Sequence, residues 1–233
     1  MESVPGYVSI VFILTTFATI AFLIQAIKSV GVRTRPSQIL IFLLPLWLIF
    51  QGILAIGGFY QNVEAVPPRL VLFGVLPAIL TIALFFLFFR KEFIEKIPFS
   101  LLTLVHTVRI PVELVLLWLF FAGQVPQAMT FEGRNFDIVS GIFAPIVFYV
   151  AVRGGRFNKP ILVGYNILGI ILLCNVVIIA LLSVPSPIQQ IAIDQPNRAV
   201  LFFPYIWLPS IIVPIVLVSH LASLWKLWVS RTV

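Results

Sequence analysis

Charge is what this sequence has least of. Only 10% of its 233 residues are Asp, Glu, Lys or Arg, whereas 61% are hydrophobic, and the mean hydropathy is +1.14. A water-soluble domain needs roughly a quarter of its residues charged to cover its surface. This chain has too little polar material to face water on all sides, which excludes an ordinary soluble domain. There is one cysteine, Cys174, so no intrachain disulfide can form. No N-x-[ST] sequon, HExxH, paired CxxC or Walker A loop occurs. With only two histidines and no ligand spacing, a zinc centre is not expected, and no metal or cofactor is assigned. A Schiff-base lysine deep in the last helix is also missing. The lysine of that segment, Lys226, lies next to its end.

What is present is a succession of apolar runs long enough to cross a bilayer. Windows of about 19 residues place seven spans, near 7–29, 37–60, 69–89, 99–122, 137–153, 160–183 and 199–228. The fifth is the shortest. The fold class expected is an all-α integral membrane bundle of seven helices, one domain over 1–233. The N-terminal run has no basic leader and is too long for a cleaved signal peptide, so it reads as a retained first helix.

The net charge of +7 follows the positive-inside rule and needs no nucleic-acid partner. Lys28, Arg33, Arg35, Arg90, Lys91, Lys96, Arg153, Arg156, Lys159, Lys226 and Arg231 fall on one side of the expected topology. Arg69, Arg134 and Arg198 fall on the other, offset by Glu2, Glu64, Glu132, Asp137 and Asp194. The expected orientation is N-terminus outside and C-terminus cytoplasmic, in a bacterial inner (plasma) membrane. Pro-x-Arg-x-Val-Leu-Phe occurs at 67–73 and again at 196–202. The match suggests a 3+1+3 repeat, although Arg and Pro are favoured at any span boundary.

The fourth span carries the feature that asks for an explanation. In HTVRIPVELVLLWLFF, residues 106–121, a histidine, an arginine, a proline and a glutamate interrupt a greasy run. At 100° per residue, His106, Arg109 and Glu113 share one face. An Arg or Asp at a helix centre costs about 2.5–3.5 kcal/mol to insert, so this face must turn into the bundle. Arg109 and Glu113 are spaced i, i+4 and can pair. Pro111 deprives the Thr107 carbonyl of its helical donor. Counting 1.5 Å per residue, His220 in the seventh span and Asn166 in the sixth fall at the depth of His106. The five residues His106, Arg109, Glu113, Asn166 and His220 are therefore candidates for one substrate- or proton-binding cluster.

Pro204, Pro209 and Pro214 are expected to bend the seventh span, which would then pack inside the bundle. On the outer side, VPQAMTFEGRNFDIVSG (125–141) is the most polar connection. Its simplest reading makes Asn135 or Asp137 the cap of the fifth helix. The functional alternative makes Glu132, Arg134 and Asp137 an outer lid. The cluster suits a small-solute or proton-coupled carrier with an anionic or amphipathic ligand. The alternatives are a membrane-embedded enzyme acting on a lipid or isoprenoid, with His106 as acid/base and Glu113 orienting it, or a seven-helix receptor. Two histidines at one depth also raise bis-histidine haem, which the crowding by Arg109 and Glu113 disfavours.

Overall fold

A computed structural model describes residues 3–154 and 158–229. The sequence assignments at Glu2, Arg156 and Arg231 lie outside the described residues. The chain is all-helical, 74% helix, with no strand among the described residues. Six helices are long and apolar enough to cross a membrane: α1 Gly6–Val30, α2 Arg35–Ile56, α3 Val71–Phe88, α4 Phe99–Phe121, α6 Lys159–Ser183 and α7 Leu208–Val229. Between α4 and α6 lies the shorter apolar helix α5, Asp137–Val152. This is an integral membrane protein built as a helical bundle.

Exposure of large apolar side chains follows from that setting. Phe42, Leu46, Leu87 and Phe88 are among the most exposed residues, as a hydrocarbon-facing surface requires. Burial is concentrated elsewhere. Half of the α4 and α7 windows is buried, against 17% for α2 and α3. The inner bundle is formed by α1, α4, α5, α6 and α7, with α2 and α3 at its edge.

The edge helices are held by polar contacts to backbone. Gln51 on α2 is fully buried; it accepts from the Tyr60 hydroxyl at 2.6 Å and donates to the Phe73 carbonyl at 2.8 Å. Trp47 and Trp207 tie α2 to the start of α7 through the Ser210 and Leu48 carbonyls. Gln51 is thus interhelical glue, as expected of an amide within a span.

Two boundaries differ from the sequence reading. Helix α2 ends at Ile56, and Phe59–Gln61 is a separate single turn. Helix α7 starts at Leu208, while Ala199–Leu201 forms one isolated turn before it. Of the three prolines assigned to bends in the seventh span, Pro204 therefore precedes the helix. Pro209 occupies its first turn, where no intrahelical donor is needed. Only Pro214 is interior, directly after the π-helical segment Leu208–Ile212, whose wider turn absorbs the missing bond. The two copies of the Pro-x-Arg motif also differ in backbone. One runs into the π-helical start of α3 at Val71–Val75, and the other ends in the isolated turn before α7.

The shortness of α5 has a geometric cause. Gly141 sits against Arg109 and Ile110: a methyl there would come within 3.0 Å of the Ile110 side chain and 3.1 Å of its backbone nitrogen. Gly141 is four residues into α5, about 6 Å at 1.5 Å per residue, whereas Ile110 is mid-way along α4. Helix α5 therefore begins well below the Phe121 end of α4. The chain descends to reach it, burying Met129, Thr130 and Asn135 completely or nearly so.

Candidate functional site

Arg109 is the hub of a polar cluster at the middle of the bundle. The helix before it tightens into a 3-10 turn at Val105–Val108, just where Pro111 removes the next donor. Thr107 donates back to the Leu104 carbonyl at 2.8 Å. Past that turn the Arg109 side chain is 2% exposed. Its Nη1 donates to Asp137 Oδ1 at 2.9 Å, the buried ion pair that joins α4 to α5. Its Nη2 lies 3.0 Å from His220 Nε2.

That second contact settles the tautomer of His220. Arginine has only donors, so Nε2 must accept, and the ring proton sits on Nδ1. Nδ1 then donates to Asn166 Oδ1 at 2.8 Å. Asn166 in turn donates to the Leu162 carbonyl and to Ser223 Oγ, at 2.7 and 2.9 Å. Each of these steps consumes one donor and one acceptor, so the chain from Ser223 to Asp137 is consistent throughout. His220 orients Arg109 and is not free to exchange a proton on Nε2 while that contact holds.

His106 lies face to face with His220, ring centroids 3.8 Å apart and planes 14° from parallel. Tyr165 closes the group edge-on to His106 at 5.8 Å and donates to the Ser140 carbonyl at 2.9 Å. Both His106 nitrogens are buried without a hydrogen bond of ordinary geometry to the protein. Stacked rings cannot aim two nitrogens at one iron from opposite sides, so the pair does not fit bis-histidine haem. Among the described residues, no group of three or more His, Cys, Asp or Glu has metal-binding geometry.

Glu113 takes a different partner from the one its spacing suggests. The ion pair of Arg109 is with Asp137, and Glu113 Oε1 accepts from Asn135 Nδ2 at 2.6 Å. Asn135 also donates to the Met129 carbonyl at 3.0 Å and accepts from the Asp137 backbone N–H at 3.0 Å. The i, i+4 pairing is thus replaced by an arrangement in which Asn135 pins Glu113 and turns the chain into α5. The residue at the N-cap is Phe136, which makes no side-chain cap bond, so neither Asn135 nor Asp137 is the cap expected from sequence. Asp137 is 6% exposed, part of the cluster and not of a surface lid. Glu132 and Arg134 are exposed, and the Arg134 carbonyl accepts from Asn175.

Beside the cluster, toward the Phe121 end of α4, is a chamber of about 90 Å³. Its polar lining comes from Arg109, Glu113, Asp137 and Asn197, and the rest is apolar, including Val112, Leu116, Leu173 and Val176. Glu113 Oε2 and Asn197 Oδ1 make no hydrogen bond to the protein. A larger hollow of about 280 Å³ lies between α1, α2, α3, α4 and α7, but no ionisable side chain lines it. The hydroxyls of Thr81, Ser210 and Ser219 there bond back to their own helices. Size favours that hollow; chemistry favours the smaller chamber.

A family model described as Domain of unknown function (DUF8737) matches residues 66–228. The chain belongs to that family. The matched segment runs from just before α3 almost to the end of α7, so it contains every residue of the Arg109 cluster and leaves out α1 and α2. No curated protein and no solved structure matches.

The structure brings together His106, Arg109, Glu113, Asn166 and His220, and adds Asp137, Asn135 and Tyr165. Two glycines complete the packing. Gly141 lets α5 touch Arg109, and a methyl on Gly169 would overlap the His220 ring. Sequence spacing does not reveal these glycines, because their neighbours lie on other helices.

Proposed function

We propose that this protein binds a small amphipathic ligand in the chamber beside Arg109 and carries it across the membrane in exchange for a proton at Glu113. The observation that carries the reading is Glu113 itself. It is 1% exposed, held through one oxygen by Asn135, with the other oxygen unbonded to protein in the lining of a mostly apolar chamber. Intramembrane carboxylates facing a cavity are characteristic of substrate and proton pathways. The apolar walls suit a hydrocarbon portion better than a fully polar solute. Glu113 and His106 are the proton-exchanging candidates, with Arg109 modulating the carboxylate; Asn166 and His220 hold Arg109 in place. The π-helical start of α7, which lines the chamber, and Pro214 after it supply the element able to move.

In this reading α5 is a seventh crossing, completed by the descending 122–136 segment. The chain is then a single domain with its N-terminus outside and its C-terminus cytoplasmic, in a bacterial plasma membrane. Glu132 and Arg134 are the outer-lid candidates in this reading.

An enzyme acting on a lipid or isoprenoid is the second reading, favoured by the chamber's apolar lining. Its expected wiring, Glu113 orienting His106, has no counterpart in the hydrogen bonds, since Glu113 is bonded to Asn135. The two readings separate in proteoliposomes loaded with a pH-reporting dye and challenged with a panel of amphipathic solutes. The carrier reading expects solute-dependent proton flux that drops at least tenfold in Glu113→Gln. Solutes that bind and are chemically altered, with no flux from any of them, would establish the enzyme instead.

A further inference from the structure

We infer that the ligand's polar end is a cationic hydrogen-bond donor, a primary ammonium on a hydrocarbon chain. The inference rests on the ligand-binding reading above and deepens it.

Arg109 directs its fork at protein partners. Nη1 is on Asp137, with the Gly169 carbonyl 3.5 Å away, and Nη2 is on His220. Of its three nitrogens, only Nε has no protein partner. Two acceptor atoms of the lining are without a protein hydrogen bond, Glu113 Oε2 and Asn197 Oδ1. Both belong to chamber-lining residues that are at most 1% exposed. The Asn197 amide nitrogen already faces the Ala180 carbonyl at 3.5 Å, which leaves its oxygen as the free end. A buried acceptor without a donor costs about 1–3 kcal/mol. A head group that donates hydrogen bonds recovers that cost.

Charge points the same way. Once Glu113 has given up its proton, one guanidinium is accompanied by two carboxylates, Glu113 and Asp137, so a cation balances the lining whereas an anionic head would add a third negative group. A hydroxyl donates once and can satisfy only one of the two acceptors. An ammonium donates three times and carries the balancing charge. The hydrocarbon chain has its own exit. Val75 on α3 and Val177 on α6 both line the chamber and are partly exposed, which leads a tail out between those helices toward lipid.

The test uses the full chain in nanodiscs, titrated with octylamine, octanol and octanoate at neutral pH, with thermal midpoint and apparent Kd as readouts. A chamber-filling variant, Val176→Trp, serves as the reference that subtracts partitioning into the bilayer; Ala180→Phe replaces it if that variant does not fold. The expected order is octylammonium tightest, at least tenfold ahead of octanoate, with octanol between them. Glu113→Gln is expected to abolish the tenfold preference while retaining octanol binding. Octanoate binding as tightly as octylammonium, or an ammonium preference that survives Glu113→Gln, overturns the head-group inference but leaves the chamber as a ligand site. If no probe binds the parent protein more tightly than the filled variant, the ligand-binding reading itself fails.

Discussion

Replacing Arg109 with methionine is expected to destabilise the protein by about 3–5 kcal/mol, the range for stranding one member of a buried ion pair. The Arg109–Asp137 pair has side chains 2% and 8% exposed, so water gives Asp137 almost no compensation once the guanidinium is gone. Methionine keeps much of the side-chain volume, so the loss reports the charge and not a cavity. Asp137→Leu is expected to fall in the same direction, because Arg109 then keeps only His220 as a side-chain partner. The double variant Arg109→Met/Asp137→Leu removes both charges and is expected to recover most of the loss, as buried pairs replaced by apolar residues commonly do. Equilibrium unfolding of the four proteins in one detergent gives the double-mutant cycle. Alanine at exposed Glu132 or Arg134 is the control, with an expected effect within about 0.5 kcal/mol.

The second large effect is expected at Gly169. A methyl placed there would overlap the His220 imidazole, and α6 and α7 are packed against each other along this line. His220 cannot step aside cheaply, because Nδ1 is tied to Asn166 and Nε2 to Arg109, while its face is against His106. Gly169→Ala is therefore expected to cost about 1–3 kcal/mol, the usual penalty for overpacking a filled core, together with the Arg109–His220 contact. The combination Gly169→Ala/His220→Ala creates room for the methyl and is expected to be much more stable than the sum of the two single changes. Additivity in that cycle would mean that the glycine and the histidine do not meet.

Most of the bundle was legible because the signal is physical and strong. An apolar run of about 20 residues has few other ways to fold, and the starts of α4 and α5 agree with the apolar windows to the residue. The seventh span read from sequence starts too early, at residue 199, because AVLFFPYIWL (199–208) is as apolar as a span; its backbone instead turns before Leu208. The cluster was legible in outline. A shared face on α4 and equal depths along α6 and α7 are arithmetic on helix geometry, and they bring out His106, Arg109, Glu113, Asn166 and His220. The partner of Arg109 was not legible. Spacing along one helix offers Glu113, whereas Asp137 lies 28 residues on, at a position that reads as a helix cap. It reaches Arg109 because α5 starts low in the bundle, and that follows from a glycine contact between helices that no window of sequence contains. Asn135 was hidden for the same reason: it looks like turn chemistry and also serves Glu113.

The claim on which the account depends is that α4 turns its ionisable face inward onto α7. The chain has only two histidines, which makes solid-state nitrogen NMR of the protein in lipid the most direct measurement, with His106→Gln used to assign the remaining ring. His220 is expected to carry its proton on Nδ1, and its Nε2 to show through-space correlation to an Arg109 guanidinium nitrogen, lost in Gly169→Ala. An Nε2–H tautomer, or a His220 ring with no arginine nitrogen nearby, would contradict it.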